Sequence, residues 1–139
     1  MIKRKDIVFA LIILLFPLVP SFFLSGSIVI KDQNLPNDPY RKKISEINVD
    51  DVLWIDPRKR GKYEEKHIPK ALWINSKNWE EALAQIFEVF EPGQTIVVYC
   101  NKGCAESKSV AERLRNELDQ DNIYYLEGGV NSWFTNTPH

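Results

Sequence analysis

From Val52 to Phe134 the sequence alternates between short apolar runs and segments with helical spacing. Val52-Leu53-Trp54-Ile55 is unbroken by charge and closes on Asp56-Pro57, and Leu72-Trp73-Ile74, Thr95 to Tyr99 and Ile123 to Leu126 have the same form. Runs this short, rich in β-branched and aromatic residues, read as strands buried on both faces. Between them, Trp79, Ala82, Leu83, Ile86, Phe87 and Phe90 fall at helical spacing and predict a core-facing stripe. Asn78 is placed to cap that helix with Glu81 completing a box, and Pro92-Gly93 to end it. Val110, Ala111, Leu114 and Leu118 define a second helix, and Gly128-Gly129 a tight turn before a short closing helix at Val130 to Phe134. The charged stretch Lys59 to Lys66 reads as a solvated loop or helical turn around Tyr63. Strand and helix in alternation predict an α/β domain, a small parallel sheet with helices packed on it in three layers. In such folds the loops after strand C-termini carry the sites.

The loop after Thr95 to Tyr99 carries the most chemistry. It begins at Cys100, runs through Asn101, Lys102, Gly103, Cys104 and Ala105, and enters the second helix at Glu106 and Ser107. Strand, loop and helix in that order surround the first loop residue with backbone N–H groups and the positive end of a helix dipole, which favour an anion. A cysteine there is expected to have a lowered pKa and to act as a thiolate nucleophile. The competing reading is a small apolar core residue, a common fate of free cysteine.

The first thirty residues differ in kind. After Lys3, Arg4, Lys5 and Asp6, no charged residue occurs until Lys31. At 1.5 Å per residue that run reaches roughly 36 Å, enough to cross a hydrocarbon core of about 30 Å. Residues 1–30 are therefore expected to be a transmembrane signal-anchor, although Ser25-Gly26-Ser27 could also serve a cleaved secretory signal. The basic N-terminus places the rest of the chain outside the cell membrane, against a modest opposing bias from Lys31, Arg41, Lys42 and Lys43. Residues 31–43 read as a linker and 44–135 as a single domain. With a net charge of −1 and no basic block, nothing points to nucleic acid. Two cysteines four apart and two histidines do not form a metal set, and no cofactor is implied.

Several landmarks in order resemble the rhodanese-like domain: Ile55-Asp56-Pro57-Arg58, Tyr63, His67-Ile68-Pro69-Lys70-Ala71, Val97-Val98-Tyr99-Cys100, Ser107 with Val110, Ala111 and Leu114, and Leu126-Glu127-Gly128-Gly129 near Trp133. The resemblance spans Ile44 to Phe134. It implies that Cys100 is the sulfur-carrying cysteine, which takes sulfane sulfur from a small donor as a persulfide and passes it to a thiol or cyanide-like acceptor. Asp56 and Arg58 then look like residues that brace the loop. His67 looks structural, since a catalytic role would need contact with Cys100. Lys70 stands where the family usually has Gly, which suggests a turn that avoids positive φ.

The loop also departs from the family. It has no arginine, and the sixth residue after Cys100 is Glu106, a carboxylate that repels phosphate and arsenate. Glu106 could raise the Cys100 pKa, opposing the loop amides, and which effect wins depends on where its side chain points; Lys102 could offset it. Cys104 offers a second line: it could resolve a Cys100 persulfide into a disulfide, or form a redox switch with Cys100, or simply fill space. A catalytically idle binding module on a membrane tether is the remaining alternative.

Overall fold

The computed structural model describes residues 38–102 and 105–136. The expected membrane segment, most of the expected linker, and Gly103 and Cys104 lie outside them. Among the described residues, no helix is long and apolar enough to cross a membrane.

Five strands form one parallel sheet: β1 (Arg41–Lys42), β2 (Val52–Asp56), β3 (Leu72–Trp73), β4 (Thr95–Val98) and β5 (Ile123–Leu126), in spatial order β1-β5-β4-β2-β3. Among the described residues, three helices connect strands, α1 (Arg60–Glu65), α2 (Trp79–Val89) and α3 (Glu106–Leu118), and α4 (Val130–Asn136) follows β5, with short 3₁₀ turns at Ile44–Glu46 and Val49–Asp51. The register sets Ile55, Val98 and Tyr125 side by side, with Trp54, Val97 and Tyr124 the next row down the strands.

Because successive side chains of a strand point to opposite faces, those two rows feed two cores. Leu53, Ile55, Ile96, Val98 and Ile123 meet Trp79, Ala82 and Ile86 of α2 and Val110, Ala111 and Leu114 of α3. On the other face Trp54, Val97, Tyr99 and Leu126 meet Ile68, Ala71 and Val130, with Tyr63, Trp133 and Phe134 packed around them. Trp54 contacts Tyr99 and Trp133 edge to face, at centroid distances of 6.3 and 5.3 Å. These are the three layers expected of the alternating pattern.

Four local expectations need correction. Arg41–Lys42, read as linker, is an edge strand: Tyr40 and Lys42 carbonyls accept from the amides of Tyr125 and Glu127. Two charged residues carry no strand periodicity, and Asp38 anchors them instead, accepting from the Tyr40 amide and Tyr125 hydroxyl and pairing with Lys108. The Asn78–Glu81 box does not form, since Asn78 Nδ2 donates to Glu81 Oε2 at 2.7 Å and not to backbone. Phe87 lies on the solvent side of α2, 60 % exposed, because the buried stripe is the narrower Trp79, Ala82, Ile86 line. Lys70 adopts φ 64°, in the left-handed region. The Ala71 amide donates to the Ile68 carbonyl across Pro69-Lys70, a turn with proline second and a positive φ third, so the conformation persists although glycine is absent.

Candidate active site

Strand β4 ends at Val98, and Tyr99 and Cys100 continue it to the carboxyl edge of the sheet, where the Tyr99 amide still donates to the Ile55 carbonyl. Cys100 is 2 % exposed. It is disulfide-bonded, and Cys104 is the only other cysteine in the sequence. Its Sγ lies 3.4 Å from Ser107 Oγ and 3.0 Å from the Asn101 carbonyl oxygen. A disulfide sulfur has no proton, so the Ser107 hydroxyl is the donor. The Asn101 oxygen is an acceptor facing sulfur, an arrangement compatible with the oxidised form and unfavourable to a thiolate. Ser107 is buried in the first turn of α3, whose N-cap is Ala105, a residue with no side chain to satisfy the leading amides.

The loop is braced from β2. Asp56 is fully buried and accepts from the Arg58 amide at 3.0 Å, from Nε at 2.9 and 3.1 Å and from Nη2 at 2.7 Å. Arg58, itself buried, passes the constraint on: Nη1 donates to Asn101 Oδ1 at 3.2 Å and Nη2 to the Lys66 carbonyl at 2.6 Å. Burial works against the guanidinium charge, but the Asp56 carboxylate outweighs it and holds the Arg58 pKa above its ordinary value. A buried ion pair persists when its donors and acceptors are all engaged, which is the case for these groups. Below it, the Tyr99 ring lies 5.5 Å from the guanidinium carbon, and its hydroxyl accepts from the Ile68 amide. Burial, with the Asp56 charge adding to it, pushes the Tyr99 phenol far above its usual range.

A third support comes from the turn before α4. The Val130 amide donates to the Cys100 carbonyl at 2.8 Å. Gly129, at φ +61°, lies directly against that carbonyl: a Cβ there would overlap the Cys100 oxygen and stand 2.8 Å from the Asn101 carbonyl carbon. Gly128-Gly129 was legible as a turn, but nothing in the sequence tied it to Cys100. Tyr99 likewise carried no signal beyond its strand.

The structure therefore joins Cys100, Asn101, Ser107, Asp56 and Arg58 in one cluster. Ala105 occupies the N-cap position of α3 without a capping side-chain hydrogen bond, and it and Lys102 are exposed. His67 is engaged elsewhere: Nδ1 lies 2.8 Å from the Tyr63 carbonyl oxygen and its ring stacks on Tyr63 at 3.9 Å. Glu106 is exposed at the start of α3, and its Oε1 accepts from Ser76 Oγ at 2.8 Å. Among the described residues, no group of His, Cys, Asp and Glu is placed to hold a metal ion.

The family model for the rhodanese-like domain matches residues 25–136. The chain belongs to the rhodanese-like family. Its domain is similar to a rhodanese-related protein of Thermoplasma volcanium (22 % identity, TM-score 0.56, covering 70 % of this chain and 94 % of that one). It is also similar to a Helicobacter pylori protein solved by solution NMR (26 % identity, TM-score 0.55, covering 69 % and 83 %). Among curated proteins, 82 residues are 32 % identical to the tRNA uridine(34) hydroxylase of Photorhabdus laumondii and 30 % identical to that of Yersinia pestis. The aligned part is 58 % of this chain and only 23 % and 22 % of those two proteins. The rhodanese-like chain thus spans about a quarter of the length of the curated relatives it matches.

Proposed function

We propose that this rhodanese-like protein is a sulfurtransferase that carries sulfane sulfur on Cys100. The observation behind this is the placement of Cys100 at the end of the central strand, with Ser107 of α3 3.4 Å from its sulfur and its loop tied through Asn101 to the Arg58–Asp56 pair. A dithiol first reduces the disulfide: the protein's S–S bond breaks, its two sulfurs gain the dithiol's two electrons and two protons as cysteine thiols, and the dithiol closes to its own disulfide. The Cys100 thiolate then attacks the outer sulfur of a donor. With thiosulfate, the donor's S–S bond breaks and its electron pair leaves with sulfite. A thiol or cyanide-like acceptor attacks the outer sulfur of the persulfide, and Cys100 departs as thiolate. The amides of the loop from Asn101 to Ser107, including Lys102, Gly103, Cys104, Ala105 and Glu106, are the groups we assign to stabilise the negative sulfur once the chain is reduced. The match with the hydroxylases supports the shared domain, and their named activity is not carried over.

We further propose that residues 1–30 anchor the domain to the cell membrane, on its outer side. The support is the charge-free run between Asp6 and Lys31 behind a basic N-terminus. A second reading, a thiol redox switch using Cys100 and Cys104, is favoured by the disulfide at Cys100.

Intact-mass analysis of the reduced full-length protein, after incubation with thiosulfate or polysulfide, tests the first reading. Addition of one sulfur atom, lost in Cys100→Ser, is expected. No addition from either donor, with the Cys100–Cys104 couple still cycling against a dithiol buffer, would leave the switch in its place.

A further inference from the structure

The exposed start of α3, beside Ser107, carries a charge that neither the brace nor the disulfide uses. Arg58 is occupied with Asp56 and is 6 % exposed, so its positive charge is largely spent inside the domain. Glu106 is exposed in the first turn of α3, next to Ser107, whose hydroxyl touches the Cys100 sulfur. It is also fixed. Ser76, two residues beyond the Ile74 amide that bonds to the Asp56 carbonyl, donates its hydroxyl to Glu106 Oε1 at 2.8 Å. That bond spans the carboxyl edge of the sheet from the loop after β3 to the start of α3. A carboxylate at a helix N-terminus is itself favourable.

We infer that Glu106, held by Ser76 at the rim of the Cys100 site, selects against dianionic sulfur donors, so that the donor is a sulfane-sulfur compound neutral or cationic at its entering end. The inference rests on the sulfur-transfer reading. Glu106 is the chain neighbour of Ser107, whose Oγ is 3.4 Å from Cys100 Sγ, so the span of the two residues puts the carboxylate on the order of 10 Å from that sulfur. At that separation a single charge in water changes the approach of a dianion by about three- to five-fold at low ionic strength, and hardly at all once the Debye length falls to about 3 Å. Reversing the charge doubles the exponent, so Glu106→Lys should raise the rate about ten- to twenty-fold.

The test measures single-turnover modification of Cys100 in the reduced full-length chain bearing Cys104→Ser, so that Cys100 is its only thiol. The probes are thiosulfate, a dianion, and methyl methanethiosulfonate, which is uncharged. In the second reaction the thiolate takes the methylthio sulfur, the S–S bond breaks, and methanesulfinate leaves with the electron pair. Expected are rates with thiosulfate that rise from wild-type Glu106 through Glu106→Gln to Glu106→Lys, and a difference that collapses in about 1 M salt. The uncharged probe reports any change in the thiolate itself, so the ratio of the thiosulfate rate to the uncharged-probe rate should rise through the same series. Ser76→Ala should fall between wild type and Glu106→Gln if fixing the carboxylate matters. Equal thiosulfate rates across the series overturn the role of Glu106 and leave sulfur transfer standing. Loading by thiosulfate in none of the variants, while the uncharged probe still modifies Cys100, overturns both.

Discussion

Gly129→Ala gives the sharpest test of how Cys100 is seated. Two costs should add. At φ +61° an alanine Cβ crowds its own backbone, worth roughly 1–2 kcal/mol, and the loss of unfolded-state freedom returns about 0.4–1 kcal/mol of this. The second cost is specific to this position: the new Cβ overlaps the Cys100 carbonyl oxygen, so the turn or the loop must move. Forced overpacking of this kind costs about 1–3 kcal/mol. The total expected is about 2–4 kcal/mol. Gly93 provides the control, because it too has a positive φ, +84°, but nothing lies within 4 Å of its added Cβ. Gly93→Ala should therefore lose about 1 kcal/mol or less. Urea unfolding of the reduced proteins, compared at equal m-value, measures both. The displaced loop should also slow sulfur loading of Cys100 in Gly129→Ala and leave it unchanged in Gly93→Ala. If the two variants have the same midpoint and loading rate, the contact between the glycine turn and the Cys100 carbonyl does not position the cysteine, and the reasoning fails.

Lys70→Gly relieves a left-handed residue in an otherwise satisfied turn and should stabilise by about 0.5–1 kcal/mol, read as a higher urea midpoint. Arg58→Met strands the buried Asp56 carboxylate and should cost about 3–5 kcal/mol, whereas the double variant with Asp56→Leu should recover part of that loss. Removing Arg58 also frees Asn101, so sulfur loading should slow even in variant molecules that remain folded. Asp38 is pulled down to about 2 from 3.8: burial opposes the shift, but Lys108, Tyr125 and the Tyr40 amide outweigh it. Its folded value is the lower one, so its contribution is complete above about pH 4 and disappears as the pH falls through about 2. After allowance for screening, we expect about 1 kcal/mol in the difference between wild type and Asp38→Asn at pH 6. That difference should shrink toward zero near pH 2, and a constant difference would show that Asp38 acts without its charge.

Periodicity and strand chemistry made the architecture legible. Ile55, Val98 and Ile123 are apolar because they lie between two helical layers, and that requirement is written in runs of four or five residues. Cys100 was legible for the same reason, since a strand followed at once by a loop and a helix ends at a predictable place. Where the sequence misled, the missing information was nonlocal. Arg41–Lys42 is a strand only because Tyr125 and Glu127 offer amides to its carbonyls, and the exposure of Phe87 depends on how α2 sits on the sheet. Lys70 is left-handed because Pro69 and the Ala71–Ile68 hydrogen bond hold the turn, a constraint that residue preference alone does not reveal.

The sequence by itself determined a parallel α/β domain of the rhodanese-like family with a cysteine at the head of its central loop, because burial and the alternation of strand and helix are written in short-range pattern. Only the tertiary structure decided what surrounds that cysteine. Arg58 reaches Asn101 across 43 positions, Ser76 reaches Glu106 across 30, and the Val130 amide lies under the Cys100 carbonyl. Hydrogen bonds between residues so far apart are set by where the packed layers bring their ends together, and no local spacing encodes them.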